Sequence, residues 1–280
     1  MDWGLKNRLS RIFQHKSGRT VMLAVDHGYF LGPTTGLEDL RATLNPLVPY
    51  ADSIMLTRGS LRACVDPGFP VPVVLRVSGG TSILGEISNE SITTSIEEAL
   101  RLNVSAITCS IFVGSPHEKE TILGLARLVN EGSRYGIPVL AVTAVGKDMK
   151  RDARYLALAC RIAAETGAHF VKTYFTEGFE EVARSCPVPL IVAGGRKTPE
   201  LEALTLAANA VEHGAVGVDM GRNIFQSDCP TAMIQAVREV VHKKTPAKEA
   251  FEIYLKLAAN GKTAKAANRA PKATPSNLAP

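Results

Sequence analysis

Lys172 stands in the middle of Phe170-Val171-Lys172-Thr173-Tyr174, a run otherwise made of apolar, β-branched or aromatic residues. An ammonium is costly to bury in such a segment unless it is paired. In an extended strand Phe170, Lys172 and Tyr174 share one face, and Val171 and Thr173 the other. If the first face points into a core, desolvation lowers the lysine pKa and leaves an amine able to attack a ketone and form a Schiff base. The same pattern suits, equally well, a lysine paired with a structural carboxylate or one snorkelling towards solvent.

Two glycine sites weigh on that choice. Ala193-Gly194-Gly195 and Met220-Gly221-Arg222-Asn223 each put glycine directly after a candidate strand, and each is followed by arginine. Glycine lets backbone N–H groups approach an anion closely, and a guanidinium adds charge. Gly194, Gly195, Gly221 and Arg222 therefore make a candidate phosphate cradle, although either glycine site can also serve only a turn. Asp26-His27 follows another candidate strand, where an acid–base pair would stand near an imine. Asp26 could instead cap the following loop, or pair with Lys172 or Arg58. The remaining histidines, at 15, 117, 169, 213 and 242, follow no strand end. A catalytic zinc generally needs three protein ligands, so no metal is expected.

The elements that must carry these residues alternate along the whole chain. Strand-like runs cover Thr20–Val25, Ser53–Thr57, Val73–Val77, Ala106–Phe112, Val139–Thr143, Phe170–Tyr174, Leu190–Ala193 and Gly217–Met220. Amphipathic patterns predict helices over Ser91–Asn103, His117–Tyr135, Ala153–Thr166, Pro199–His213 and Thr231–Val241, with Thr198-Pro199 as a start signal and Gly167 and Gly214 as stops. Eight such units predict an α/β fold, a single (β/α)8 barrel, in preference to a doubly wound sheet. A barrel enzyme collects its chemistry at the carboxyl ends of its strands, and all the candidate residues except Lys172, which lies within its strand, fall just after one. The basic amphipathic stretch Leu5–Phe13 would cap the barrel bottom or pack between subunits.

Composition agrees with one large globular domain: 280 residues, 45% hydrophobic and 21% charged. No apolar run approaches the roughly 18 residues of a membrane span, and the first residues hold no signal core, so a cytoplasmic protein is expected. Cys64, Cys109, Cys160, Cys186 and Cys229 are odd in number and form no CxxC, which argues against a disulfide framework. The net charge is +5, but residues 261–280 carry Lys262, Lys265, Arg269 and Lys272 and no acid, so the other 260 residues hold only +1. The expected layout is a barrel with an N-terminal helical extension over 1–259 and a basic, disordered tail over 260–280. A basic pI made by a tail is weak support for a nucleic-acid partner, and none is expected. A tail-driven nucleic-acid binder would lose its affinity on tail deletion, whereas an enzyme would keep its turnover.

The segments Thr20–Gly36 (TVMLAVDHGYFLGPTTG), Thr143–Arg154 (TAVGKDMKRDAR), Val171–Phe175, Ile191–Lys197 and Gly217–Asp228 (GVDMGRNIFQSD) resemble the class I aldolase family, which includes archaeal-type fructose-bisphosphate aldolases and deoxyribose-phosphate aldolase relatives. The resemblance runs from about Asp2 to Leu255. It implies a barrel, a Schiff-base lysine at Lys172, phosphate on the last two loops, and a homo-oligomeric ring, commonly a decamer. Within the family the resemblance is strongest to members that move an acetyl group from a phosphorylated diketone to coenzyme A as co-substrate, giving acetyl-CoA and dihydroxyacetone phosphate. Lys147 and Lys150, after the fifth strand, would meet the phosphates of coenzyme A. The alternative is a metal-independent aldolase of the fructose-bisphosphate type. Against it, Ala144 aligns with the acid–base tyrosine of the archaeal aldolases and Val142 with their tryptophan.

Overall fold

The computed structural model describes residues 2–144 and 152–269, without the side chains of 261–269. Its ten strands are β1 (Thr20–Ala24), β2 (Ser53–Thr57), β3 (Val73–Arg76), β4 (Ser78–Gly79), β5 (Ser91–Ile92), β6 (Ala106–Ile111), β7 (Val139–Thr143), β8 (Phe170–Thr173), β9 (Leu190–Ala193) and β10 (Gly217–Met220). Eight of them close into a parallel barrel in the order β1-β2-β3-β6-β7-β8-β9-β10, and β4 and β5 form a separate antiparallel pair. The protein is a single (β/α)8 barrel, and its eight strands begin where the sequence puts them, ending at most one residue earlier.

The helices between them are α1 (Trp3–Ile12), α2 (Gly28–Leu31), α3 (Leu40–Leu44), α4 (Arg58–Cys64), α5 (Ile96–Arg101), α6 (Glu118–Tyr135), α7 (Ala153–Glu165), α8 (Phe179–Ser185), α9 (Glu200–Glu212), α10 (Arg222–Phe225), α11 (Pro230–Lys243) and α12 (Ala247–Arg269). Two of the expected helix starts change. The helix read over Ser91–Asn103 starts only at Ile96, because Ser91–Ile92 pairs with Ser78–Gly79 and the Ser95 side chain caps the helix by accepting the Glu98 N–H. Pro199, not Thr198, is the N-cap of α9: the Pro199 carbonyl accepts the Ala203 N–H at 3.0 Å, while the Thr198 hydroxyl is turned to Asn223 Oδ1 at 3.4 Å. The helix α12 continues to Arg269, past residue 260, where the sequence reading begins the tail. Among the described residues no helix is long and apolar enough to cross a membrane.

Strand alternation sorts the core into an inside and an outside. Met22, Ala24, Met55, Val74, Leu140, Val142, Phe170 and Ile191 fill the barrel interior. Val21 and Leu23 point the other way, onto Leu204, Val237 and Val240, and Val171 meets the helices on its own side. The face that holds Phe170 and Lys172 is therefore the inward one. The helix α1 closes the amino end: Ile12 is fully buried among the interior residues, and the Phe13 ring meets Phe170 edge-on at 5.5 Å.

Asp52 ties that closed end together. Its carboxylate accepts the Val21 N–H at 2.7 Å, Gln14 Nε2 at 2.8 Å and Arg238 Nη1 at 2.6 Å, and lies 2.7 Å from His242 Nε2. Burial pushes the carboxyl pKa up, but the contacts from His242, Arg238 and Val21 outweigh it and hold the group below its ordinary value. A depressed carboxyl contributes stability above its unfolded pKa and loses it as pH falls through the folded one. Asp52→Ala is expected to cost about 3 kcal/mol, since it leaves Arg238, His242, Gln14 and the Val21 N–H without their buried acceptor. For a chain of this length that lowers Tm by roughly 6–12 °C. Thermal melts should show the gap between the two proteins closing as the medium is acidified below about pH 4.

Candidate active site

The open end of the barrel holds a cavity of about 380 Å³, lined among others by Asp26, His27, Arg76, Lys172, Tyr174, Gly194, Gly195, Asp219, Gly221 and Arg222. The six site residues expected from strand ends and the lysine expected from a strand interior thus line one cavity. Lys147 lies outside the described residues, as do Gly146 and Lys150. Arg58, weighed as a partner of Asp26, begins α4 and does not line this cavity.

Barrel geometry explains the charge pairing. Inward side chains of alternate strands share a layer. Lys172 on β8 and Asp219 on β10 are one strand apart, and Lys172 Nζ lies 2.7 Å from Asp219 Oδ2. Burial raises the Asp219 carboxyl pKa despite the attraction of Lys172. That makes Asp219 a better proton acceptor than a solvated aspartate. The lysine side chain retains 12% exposure, at the floor of the cavity. Both readings of Lys172 therefore have a physical counterpart, a carboxylate partner and a substrate-sized space.

Asp26 follows β1 and meets Arg76 of β3, again one strand removed, with Arg76 Nε donating to Asp26 Oδ2 at 3.0 Å. Burial pushes the Asp26 carboxyl up, but Arg76, then Lys172, bring it below the usual value, so it stays ionised. Arg76 is itself fixed by Ser110 Oγ at 2.9 Å and lies 5.2 Å from the Tyr29 ring centre. Asp26 is paired with neither Lys172 nor Arg58. His27 is pushed down to about 4, chiefly by burial, with Lys172, Arg222 and Arg76 adding to the effect against Asp26. Its ring is neutral at pH 7 and packs edge-on against Phe225 at 5.6 Å.

The glycine sites are shaped by close approach. A Cβ on Gly221 would fall 2.4 Å from the Ala24 carbonyl oxygen and 2.5 Å from His27 Cε1, so no other residue fits there. Gly195 has φ +72°, in the region that favours glycine. Asn223 holds the two loops together, donating Nδ2 to the Gly194 carbonyl at 2.7 Å and accepting the Thr198 N–H.

Sequence reasoning passed over Asp219 and Arg76. Each carries the signal that exposed Lys172, a charge inside an apolar strand (Gly217-Val218-Asp219-Met220 and Val73-Val74-Leu75-Arg76-Val77).

Comparison with known proteins agrees with this geometry. Residues 20–227 match the DeoC/LacD family aldolases. The chain is 58% identical over 255 residues to 3-hydroxy-5-phosphonooxypentane-2,4-dione thiolase of Enterobacter sp. (strain 638), covering 91% of this chain and 86% of that one. It is 55% identical over 256 residues to the protein of the same name from Photorhabdus laumondii, covering 91% and 88%. Among solved structures, an archaeal fructose 1,6-bisphosphate aldolase superposes with a TM-score of 0.78 at 28% identity, over 85% of this chain and 99% of that one. So does, with the same figures, an archaeal fructose-1,6-bisphosphate aldolase with its catalytic lysine covalently bound to the carbinolamine intermediate of the substrate. A closed parallel barrel, a lysine paired with a buried aspartate at its open end and a match across most of the chain identify this protein as a member of the DeoC/LacD aldolase family.

Proposed function

We propose that this barrel is a Schiff-base thiolase that transfers the acetyl group of 3-hydroxy-5-phosphonooxypentane-2,4-dione to coenzyme A, giving acetyl-CoA and dihydroxyacetone phosphate. The observation that carries the reading is Lys172, 2.7 Å from the raised carboxyl of Asp219 at the floor of a cavity with glycine and arginine on one wall. The names of the two thiolase relatives supply the substrate.

The chemistry follows from these groups. Asp219 takes a proton from Lys172, and the freed amine attacks the C4 ketone. The same proton returns to the departing hydroxyl, so one water leaves and a positively charged iminium remains. The thiolate of coenzyme A adds to the C2 carbonyl carbon. Collapse of that adduct breaks C2–C3, and the electron pair runs into the iminium as an enamine on Lys172. Acetyl-CoA is then complete. The proton lost by the thiol is balanced by one gained at C3. Asp26, held ionised by Arg76, and His27, held neutral by burial, line the cavity as the groups that relay it. One water hydrolyses the resulting iminium, releasing dihydroxyacetone phosphate and restoring the amine. No step calls for a metal.

Gly194, Gly195, Gly221 and Arg222 bind the substrate phosphate in this reading. Arg222→Ala is expected to weaken binding of the phosphorylated substrate by roughly ten- to hundred-fold, the value of a charge-assisted contact. An unphosphorylated analogue should be affected far less, and equal losses for both would make the arginine structural. The direct test of the function is a product assay on the phosphorylated diketone. Cleavage should require coenzyme A and release acetyl-CoA. Cleavage at the same rate without coenzyme A would favour the aldolase instead.

A further inference from the structure

The glycine- and arginine-bearing loops of the cavity stand together on one side. Gly194, Gly195, Arg196, Gly221 and Arg222 stand after β9 and β10, the seventh and eighth strands of the barrel. In an eight-stranded ring the third and fourth strands lie diametrically opposite. The loop after β3 brings Ile83 and Ile87 to the cavity from that far side, Phe112 follows β6, and α2, after β1, adds Phe30 and Leu31. The apolar wall is built rather than accidental. Ile83 donates its backbone N–H to the Phe30 carbonyl at 3.0 Å, joining the loop after β3 to α2. Below that link the Tyr29 hydroxyl donates to Glu90 Oε1 at 2.6 Å, and Ser78 Oγ donates to Glu90 Oε2 at 2.7 Å. Yet Ile83 remains 48% exposed and its neighbour Leu84 95% exposed, aliphatic surface for which the described fold has no use.

The order of atoms in the substrate gives this wall an occupant. A chain held by its C5 phosphate on the seventh and eighth loops, and by C4 on the sixth strand, must point C2 across the barrel to the third and fourth strands. The thiol that attacks C2 has to arrive from that side. We propose that the wall formed by Phe30, Leu31, Ile83 and Ile87 receives the pantetheine arm of coenzyme A, an extended and largely apolar chain ending in the thiol. This rests on the acetyl-transfer reading of the site and adds the route by which the acceptor enters.

Steady-state kinetics on the full-length enzyme test it. Ile83→Ser changes an exposed side chain, so thermal melts should overlay those of the wild type. Its KM for coenzyme A should rise about ten-fold, the worth of burying one aliphatic side chain, while KM for the phosphorylated diketone stays within about two-fold. Pantetheine as acceptor should show the same penalty, because it shares the arm. Leu255→Ser, exposed on α12 and remote from the cavity, should move neither constant. Unchanged KM for coenzyme A in Ile83→Ser would overturn the proposal, as would a penalty confined to coenzyme A and absent with pantetheine. A change of oligomeric mass with unchanged KM would make the wall a contact between copies of the chain and also overturn it. A wild-type enzyme that forms no acetyl-CoA removes the acetyl-transfer reading itself. One that forms it, with the variant indistinguishable, removes this proposal alone.

Discussion

Lys172→Arg is expected to end turnover of the phosphorylated diketone, with a loss on the order of 10⁶-fold, the scale on which removing a nucleophile acts. Arginine is the informative replacement. It keeps a positive charge within reach of Asp219, so a lysine that only neutralised that carboxylate would be replaced tolerably. A guanidinium does not deprotonate in a protein and cannot attack a ketone. A structural role and a chemical role therefore predict opposite outcomes from one variant. The companion measurement is borohydride reduction in the presence of dihydroxyacetone phosphate, followed by peptide mass analysis. The reduced adduct should sit on Lys172 and be absent from Lys172→Arg. An adduct on Lys197, which is held by Glu200 at 2.6 Å, or on Lys147 would move the imine elsewhere.

Fructose 1,6-bisphosphate is expected to be cleaved 10²–10⁴-fold more slowly than the phosphorylated diketone in the presence of coenzyme A, the usual contribution of a general acid–base group. Both reactions leave the same enamine on the lysine. They differ in what starts the bond cleavage, since an aldol substrate must surrender a hydroxyl proton and a thiolysis substrate must accept a thiolate. Val142 and Ala144 line the cavity where the family resemblance puts the tryptophan and acid–base tyrosine of archaeal aldolases. Neither carries a group that can take a proton. Coupled assay of dihydroxyacetone phosphate release measures both rates. Rapid cleavage of the bisphosphate without an acceptor would restore the aldolase reading. Tyr174, on the cavity lining, would then be the first hydroxyl to test by Tyr174→Phe.

The fold was legible because each barrel strand is a short apolar run bounded by turn residues, a pattern that survives without knowledge of its neighbours. Lys172 was legible for the opposite reason, as a charge that breaks such a run. Asp219 and Arg76 break theirs too, but a lone buried charge does not name its partner. Lys172 meets Asp219, and Asp26 meets Arg76, only once the ring has closed and brought alternate strands into one layer. Chain order hides both pairings, with Arg76 standing 50 positions after Asp26. The Ser91–Asn103 stretch misled because serine and threonine support both a strand start and a helix cap, and only pairing with Ser78–Gly79 decides between them.

The stopper formed by Ile12 and Phe13 has a kinetic consequence. With the lower end filled, traffic of water passes through the mouth that substrates use. In the proposed mechanism imine formation sends one water out, and hydrolysis must bring one back. An acyl acceptor lying across that mouth would hold the returning water off until the enamine has been protonated. Departure of acetyl-CoA would then admit the water that frees the triose phosphate, so the two products would leave in a fixed sequence, the thioester first.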